Sequence, residues 1–79
     1  MEFSYEHFVN CLVEGDYNQF WYKDSILVFQ STKKESNFYI ERNGLIAFKQ
    51  KYKTPQELLD NVRIDGKSLK EIWDDLKIA

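Results

Sequence analysis

The chain has 79 residues, of which 43% are hydrophobic, 16% aromatic and 30% charged, and its net charge is −2. That length holds one small domain with a thin stability margin, and the apolar share is too high for a disordered chain. A single cysteine, Cys11, excludes an internal disulfide framework, and no stretch approaches the roughly 20 apolar residues of a membrane span.

The start, Met1-Glu2-Phe3-Ser4-Tyr5-Glu6, lacks a basic region followed by an apolar core. No signal peptide is therefore expected, and with one unpaired cysteine the expected location is the cytoplasm. The spacing predicts a first helix from Tyr5 to Glu14. Ser4 is its cap, Phe3 and Phe8 have the spacing of a hydrophobic staple, and Gly15 is a stop that tolerates the left-handed conformation. Two strands follow, Tyr17–Tyr22 and Ser25–Gln30, joined by a Lys23-Asp24 turn. A polar stretch, Ser31-Thr32-Lys33-Lys34-Glu35-Ser36, is the expected mobile loop.

Asn43-Gly44 separates two further apolar runs, Asn37–Arg42 and Leu45–Tyr52. Asn-Gly suits a type I′ turn, which needs φ > 0 at both central residues, so a hairpin is expected here. Thr54-Pro55-Gln56-Glu57 is a strong helix start: a cap, a proline where no N–H is needed, and a capping-box glutamate. That helix is expected to end near Asn61. Ser68 and Glu71 offer a second capping box. Leu69, Ile72, Trp73 and Leu76 then form an apolar stripe at helical spacing. The expected fold class is α+β: one helix, a four-stranded antiparallel meander and two C-terminal helices, all in one domain over residues 1–79.

Two-residue turns fix the expected register. Across Asn43-Gly44 one face would carry Phe38, Ile40, Ala47 and Leu45, and the other Tyr39, Ile46 and Phe48. Across Lys23-Asp24 one face would carry Phe20, Tyr22, Leu27 and Phe29, and the other Trp21, Ile26 and Val28. Neither face is polar, whereas a sheet with one solvated face alternates apolar and polar residues. Either the helices divide between the two faces, or one face stays open as a binding surface.

Charge is segregated along the chain. Residues 1–22 carry Glu2, Glu6, Glu14 and Asp16 and no Lys or Arg, whereas residues 23–53 have seven basic residues against three acidic ones. The helices are thus expected to be acidic and the sheet basic, a separation that can steer a partner. Lys49, Lys51 and Lys53 alternate near the end of the last strand. Such lysines guard an exposed sheet edge, and with Phe48 and Tyr52 they also suit phosphate contact and base stacking along a single nucleic-acid strand.

Catalytic constellations are lacking. His7 and Cys11 share a helix face four residues apart, but nothing nearby suggests an oxyanion hole or an orienting third group. One His and one Cys cannot build a zinc site of the usual ligand set, and Gly15, Gly44 and Gly66 are too isolated for a phosphate-cradling loop. No enzyme activity, cofactor or metal is expected.

The segment Tyr52 to Asp75, with its Glu57-Leu58-Leu59-Asp60-Asn61 and Ile64-Asp65-Gly66-Lys67-Ser68-Leu69-Lys70-Glu71-Ile72-Trp73 pattern, resembles a group of short proteins of Gram-positive bacteria and their phages. The resemblance covers about a third of the chain, implies a bacterial or phage origin and carries no catalytic residue. The element order in a small acidic chain is also similar to some phage anti-CRISPR proteins, which occupy the DNA-binding site of a nuclease. The chain departs from a DNA mimic in having no dense acidic run.

The expected function is that of a non-enzymatic protein-binding module, an inhibitor or regulator that occupies a surface of a larger bacterial protein such as a defence nuclease. Trp21, Tyr39 and Phe48 are the expected contacts, because the simple register projects them from the same side. The alternatives are single-stranded nucleic-acid binding through Lys49, Lys51 and Lys53, and a homodimer that buries the open face. No membrane partner is expected.

Overall fold

In the computed structural model, which describes residues 3–79, helix α1 spans Tyr5–Glu14. Ser4 caps it by accepting from the His7 N–H at 3.0 Å. Glu2, counted with the acidic N-terminal third, lies outside the described residues. Gly15 ends the helix at φ 92°, and a Cβ there would lie 3.2 Å from the Ser31 carbonyl oxygen. Both the left-handed backbone and the close approach call for glycine.

Four strands follow as a meander: β1 (Asn18–Tyr22), β2 (Ser25–Ser31), β3 (Ser36–Arg42) and β4 (Leu45–Tyr52). Helix α2 covers Pro55–Asn61, with Thr54 accepting from the Glu57 N–H at 3.1 Å. A short strand β5 (Lys77–Ile78) then pairs antiparallel with β1, so the sheet has five strands in the order β4-β3-β2-β1-β5. The α+β class, the first helix and the antiparallel meander agree with the sequence expectation, but the expected four-stranded sheet gains a fifth strand, because Lys77 and Ile78 pair with the free edge of β1. The polar loop between β2 and β3 is held by its own groups. Thr32 Oγ1 accepts from the N–H groups of Lys34 and Glu35, each at 3.2 Å, and the hydroxyls of Ser31 and Ser36 meet at 2.6 Å in a buried pair.

The second C-terminal helix is not formed as expected. The Ser68–Glu71 capping box is present in both directions: the Ser68 N–H donates to Glu71 Oε1 at 2.9 Å, and the Glu71 N–H to Ser68 Oγ at 3.2 Å. Beyond it the chain winds through turns into a 3₁₀ helix at Trp73–Asp75, with hydrogen bonds mostly reaching back three residues. Two physical reasons favour this tighter path. Asp74 and Asp75 sit where a helix C-terminus repels negative charge. Leu76 must also leave in an extended conformation so that Lys77 and Ile78 reach β1. Leu69, Ile72, Trp73 and Leu76 are nevertheless all buried, because a spacing of three and four residues also suits turns of three.

Both helices and this C-terminal segment pack on one face of the sheet. Phe8, Leu12, Leu58, Val62, Ile64, Leu69, Ile72, Trp73 and Leu76 meet Phe20, Tyr22, Leu27, Phe29 and Phe38 in one core. The helices therefore do not divide between the faces.

The β3–β4 register departs from the simple pairing. Asn43 (φ 54°) and Gly44 (φ 78°) make the expected turn, and Arg42 pairs with Leu45 and Glu41 with Ile46. Past that point the ladder slips. Ile40 faces Phe48, Tyr39 faces Lys49 and Phe38 faces Gln50, with Ala47 as the extra residue of a β-bulge. A one-residue slip exchanges the two faces of a strand. Phe48 thus turns to the helix side, its ring centroid 5.9 Å from that of Phe38, while Lys49 and Lys51 turn to the opposite side. The expectation that Phe48 shares a side with Trp21 and Tyr39 is corrected by this bulge.

Two outcomes test the architecture. Ile72→Ala should cost about 2–5 kcal/mol in urea unfolding, a large share of a small domain's stability, because it leaves a cavity under the C-terminal turns. The register is read directly in the intact chain: a nuclear Overhauser contact between Phe38 and Phe48 is expected, and a Tyr39–Phe48 contact in its place would refute the bulge.

Candidate docking surface

The face of the sheet away from the helices carries Trp21 and Ile46 among the exposed large apolar residues of the strands, while Leu45, Phe48 and Ile78 are exposed on the helix side. Pleating places Trp21 of β1, Ile26 and Val28 of β2, Tyr39 of β3 and Ile46 of β4 on the side away from the helices. Trp21 is 44% and Ile46 57% exposed, and Ile26 and Tyr39 are half-buried. Val28 is fully buried with no helix over it. Its cross-strand neighbours are Gln19 and Tyr39. Gln19 Nε2 donates to the Tyr17 hydroxyl at 2.7 Å, and Tyr17 in turn lies beside the Tyr39 phenol. Polar tips thus surround an apolar centre, a layout that suits recognition more than solvation. The neighbouring Tyr17 hydroxyl, and burial second, push the Tyr39 phenol up to about 12.

A hollow of about 380 Å³ lies beside this patch, lined by Trp21, Asp24, Ile26, Glu41, Asn43 and Gly44. Its floor is apolar and its rim acidic. On the far side of the patch Lys49 stands opposite Tyr39, and Lys51 opposite Asn37. Lys51 Nζ lies 3.7 Å from Glu35 Oε2 in an exposed pair. Lys53 follows β4 and is exposed. Of the three residues expected to make partner contacts, Trp21 and Tyr39 share this face, and Phe48 lies on the other. The alternation of lysines with aromatics along β4 is likewise divided: Lys49 and Lys51 face one way, Phe48 and Tyr52 the other.

A second cavity of about 300 Å³ sits at the turn end of the sheet on the helix side. Lys23, at φ 54°, donates to Asp65 Oδ2 at 2.8 Å across its mouth. The hydrogen bond with Asp65, and its charge second, hold the Lys23 ammonium above its ordinary pKa, while the same partner holds Asp65 below the usual carboxylate range. Such a lysine stays charged and is unsuited to act as a base or amine nucleophile. Arg42 Nε donates to the buried Ser25 Oγ at 2.7 Å. On α1, Cys11 Sγ and His7 Nε2 are 3.6 Å apart. Partial burial first and Asp16 second raise the Cys11 thiol, which disfavours the thiolate a nucleophile needs. Among the described residues no group of three or more His, Cys, Asp or Glu is placed to hold a metal ion, and no helix is long and apolar enough to cross a membrane.

Sequence reasoning placed Trp21 and Tyr39 on one face and read both faces of the sheet as apolar, but it missed the position of Tyr17 and Gln19 beside Val28. The signal was Tyr17-Asn18-Gln19, whose period of two places both side chains beside Val28 once β1 and β2 pair. If the Tyr17 hydroxyl is what holds the Tyr39 proton, Tyr17→Phe should bring Tyr39 down from about 12 toward the ordinary ~10. Tyrosinate absorbance against pH measures this directly. A raised tyrosine pKa contributes stability that is full below about pH 10 and is lost as pH rises through about 12. The intact chain should therefore be more stable than the variant at neutral pH and lose that advantage as pH rises through about 12.

Comparison with protein-family models, curated proteins and solved structures finds no match to this chain.

Proposed function

We propose that this chain is a non-enzymatic protein-binding module that docks a larger protein on the helix-free face of its sheet. The observation that carries the reading is the gathering of Trp21, Ile26, Tyr39 and Ile46 on that one face, beyond the reach of either helix. Trp and Tyr are the side chains that dominate interface energies, and an apolar centre ringed by polar tips is the anatomy of a docking patch. The C-terminal resemblance to proteins of Gram-positive bacteria and their phages favours a bacterial partner. The role that follows is inhibition or regulation by occupying a surface of that partner, a defence nuclease being one kind. The acidic rim beside Trp21 and the lysines beyond Tyr39 give the face a direction, so a partner would dock in one orientation.

Trp21→Ala is the decisive variant. The ring is half-exposed and outside the core cluster, so its removal should leave cooperative unfolding intact and cost at least about 2 kcal/mol of partner affinity. The measurement is a tagged pull-down from nuclease-treated bacterial lysate, with the intact chain and the variant side by side. A protein held by the intact chain and lost with Trp21→Ala supports the reading. Retention unchanged by the substitution, or unfolding of the variant itself, overturns it.

A further inference from the structure

Strand β4 is an open edge. Among the described residues its only strand neighbour is β3, it runs for eight residues, and every residue from Leu45 to Lys51 is exposed. The other edge, β5, is two residues long and too short to seat a partner strand. An edge strand presents a row of N–H and C=O groups on which another strand can pair. On the helix side, the rings of Phe29, Phe38 and Phe48 succeed one another at centroid distances of 5.0 and 5.9 Å. That row ends at Phe48, which is 47% exposed at the rim. On the opposite side stand Lys49 and Lys51, and Lys53 follows, with no acidic residue between positions 45 and 53.

We infer that β4 is the seat of a sixth strand, supplied by an extended segment of the partner in which apolar residues alternate with acidic ones. This rests on the protein-binding reading above and names the chemistry of the segment. Alternation follows from the pleat. The apolar residues of the added strand would continue the core beyond Phe48, while its acidic residues would lie beside Lys49 and Lys51. The same charges argue against a second copy of this chain, since pairing β4 with itself along its length brings lysines toward lysines. They also act against a nucleic-acid strand here, because the aromatic rings of β4 face away from its lysines and cannot stack bases held by them. Lysines on an edge repel stray strands in general, and an acidic strand is the exception they admit.

The test uses the full chain, labelled with ¹⁵N, and end-blocked synthetic peptides. One peptide alternates valine and glutamate, a second has the same composition with the glutamates grouped together, and a third alternates valine and lysine. Expected are shifts and slowed amide exchange confined to β4 and its neighbour β3 with the alternating acidic peptide. It should bind about tenfold or more tightly than the grouped one and weaken as salt is raised. The double variant Lys49→Glu/Lys51→Glu, its fold checked on the core resonances, should lose the acidic peptide and gain the basic one. The inference is overturned by an absence of β4 shifts at millimolar acidic peptide, by equal binding of alternating and grouped peptides, or by a charge-reversed variant that still prefers acid. Shifts of β4 on concentrating the protein alone would overturn it in favour of a second copy. Shifts produced by an oligonucleotide but not by the acidic peptide would do so in favour of nucleic acid. A natural partner whose capture needs Trp21 but is indifferent to Lys49 and Lys51 would overturn this inference while leaving the docking face in place.

Discussion

A row of aromatic rings holds this small fold together. Trp73 sits among Phe3, Tyr5, Phe8 and Phe20, with centroids 5.8, 5.5, 5.2 and 5.3 Å away, and its Nε1 donates to the Phe3 carbonyl oxygen at 3.0 Å. Phe8 meets Phe29 at 5.3 Å, and the row continues through Phe38 to Phe48. One continuous contact thus ties both ends of the chain to all four meander strands. Edge-to-face and tilted pairs add to the burial of large rings, which is how so short a chain obtains a sufficient core. The high aromatic share read in the composition is mostly core, and the remainder stands on the open face and at the β4 edge.

Concentrating the core on one side decides the character of the other. Two short helices and a coil of turns cover a single face. The opposite face must then meet water or a partner, and it is not dressed for water. Its buried Val28, neighbouring Tyr17, Gln19 and Tyr39, and exposed Trp21 and Ile46 are the price of using apolar side chains on both sides of thin strands. The lysines gather at one border of that face and the acidic hollow at the other, so the charge separation seen along the chain also has a direction in space.

Much of the fold was legible because local chemistry and long-range packing agree. Ser4, Gly15, Asn43-Gly44 and Thr54-Pro55 each mark a boundary where the structure has one. Three features were not legible: strand β5, whose two residues are too short to show a period, and two others for different reasons. Ala47 carries no bulge signal, since alanine fits a regular strand and a bulge alike; the slip is decided by setting Phe48 against Phe38 instead of leaving it on the other side. The stripe Leu69-Ile72-Trp73-Leu76 identifies core residues but not helix type, because its spacing fits three or four residues per turn, and the pull of β5 toward β1 decides between them. The candidate face was half legible. Trp21 and Tyr39 followed from the pleat, while the exchange of Phe48 for Lys49 depended on the bulge.

The strand order carries a consequence for how the chain assembles. From β1 to β4 each strand pairs with its neighbour in sequence, so these contacts close short loops at little entropic cost. Only β5 must find β1 across nearly the whole chain, and it does so with two paired residues and the backbone bond from the Ala79 N–H to the Gln19 carbonyl oxygen. The meander closes the shorter loops, and the two-residue β5 pairing closes the longest. With Lys77 and Ile78 exposed and Trp73 anchored in the core, the last strand can fray from β1 without unseating the aromatic row, which makes β5 the least protected pairing of the sheet.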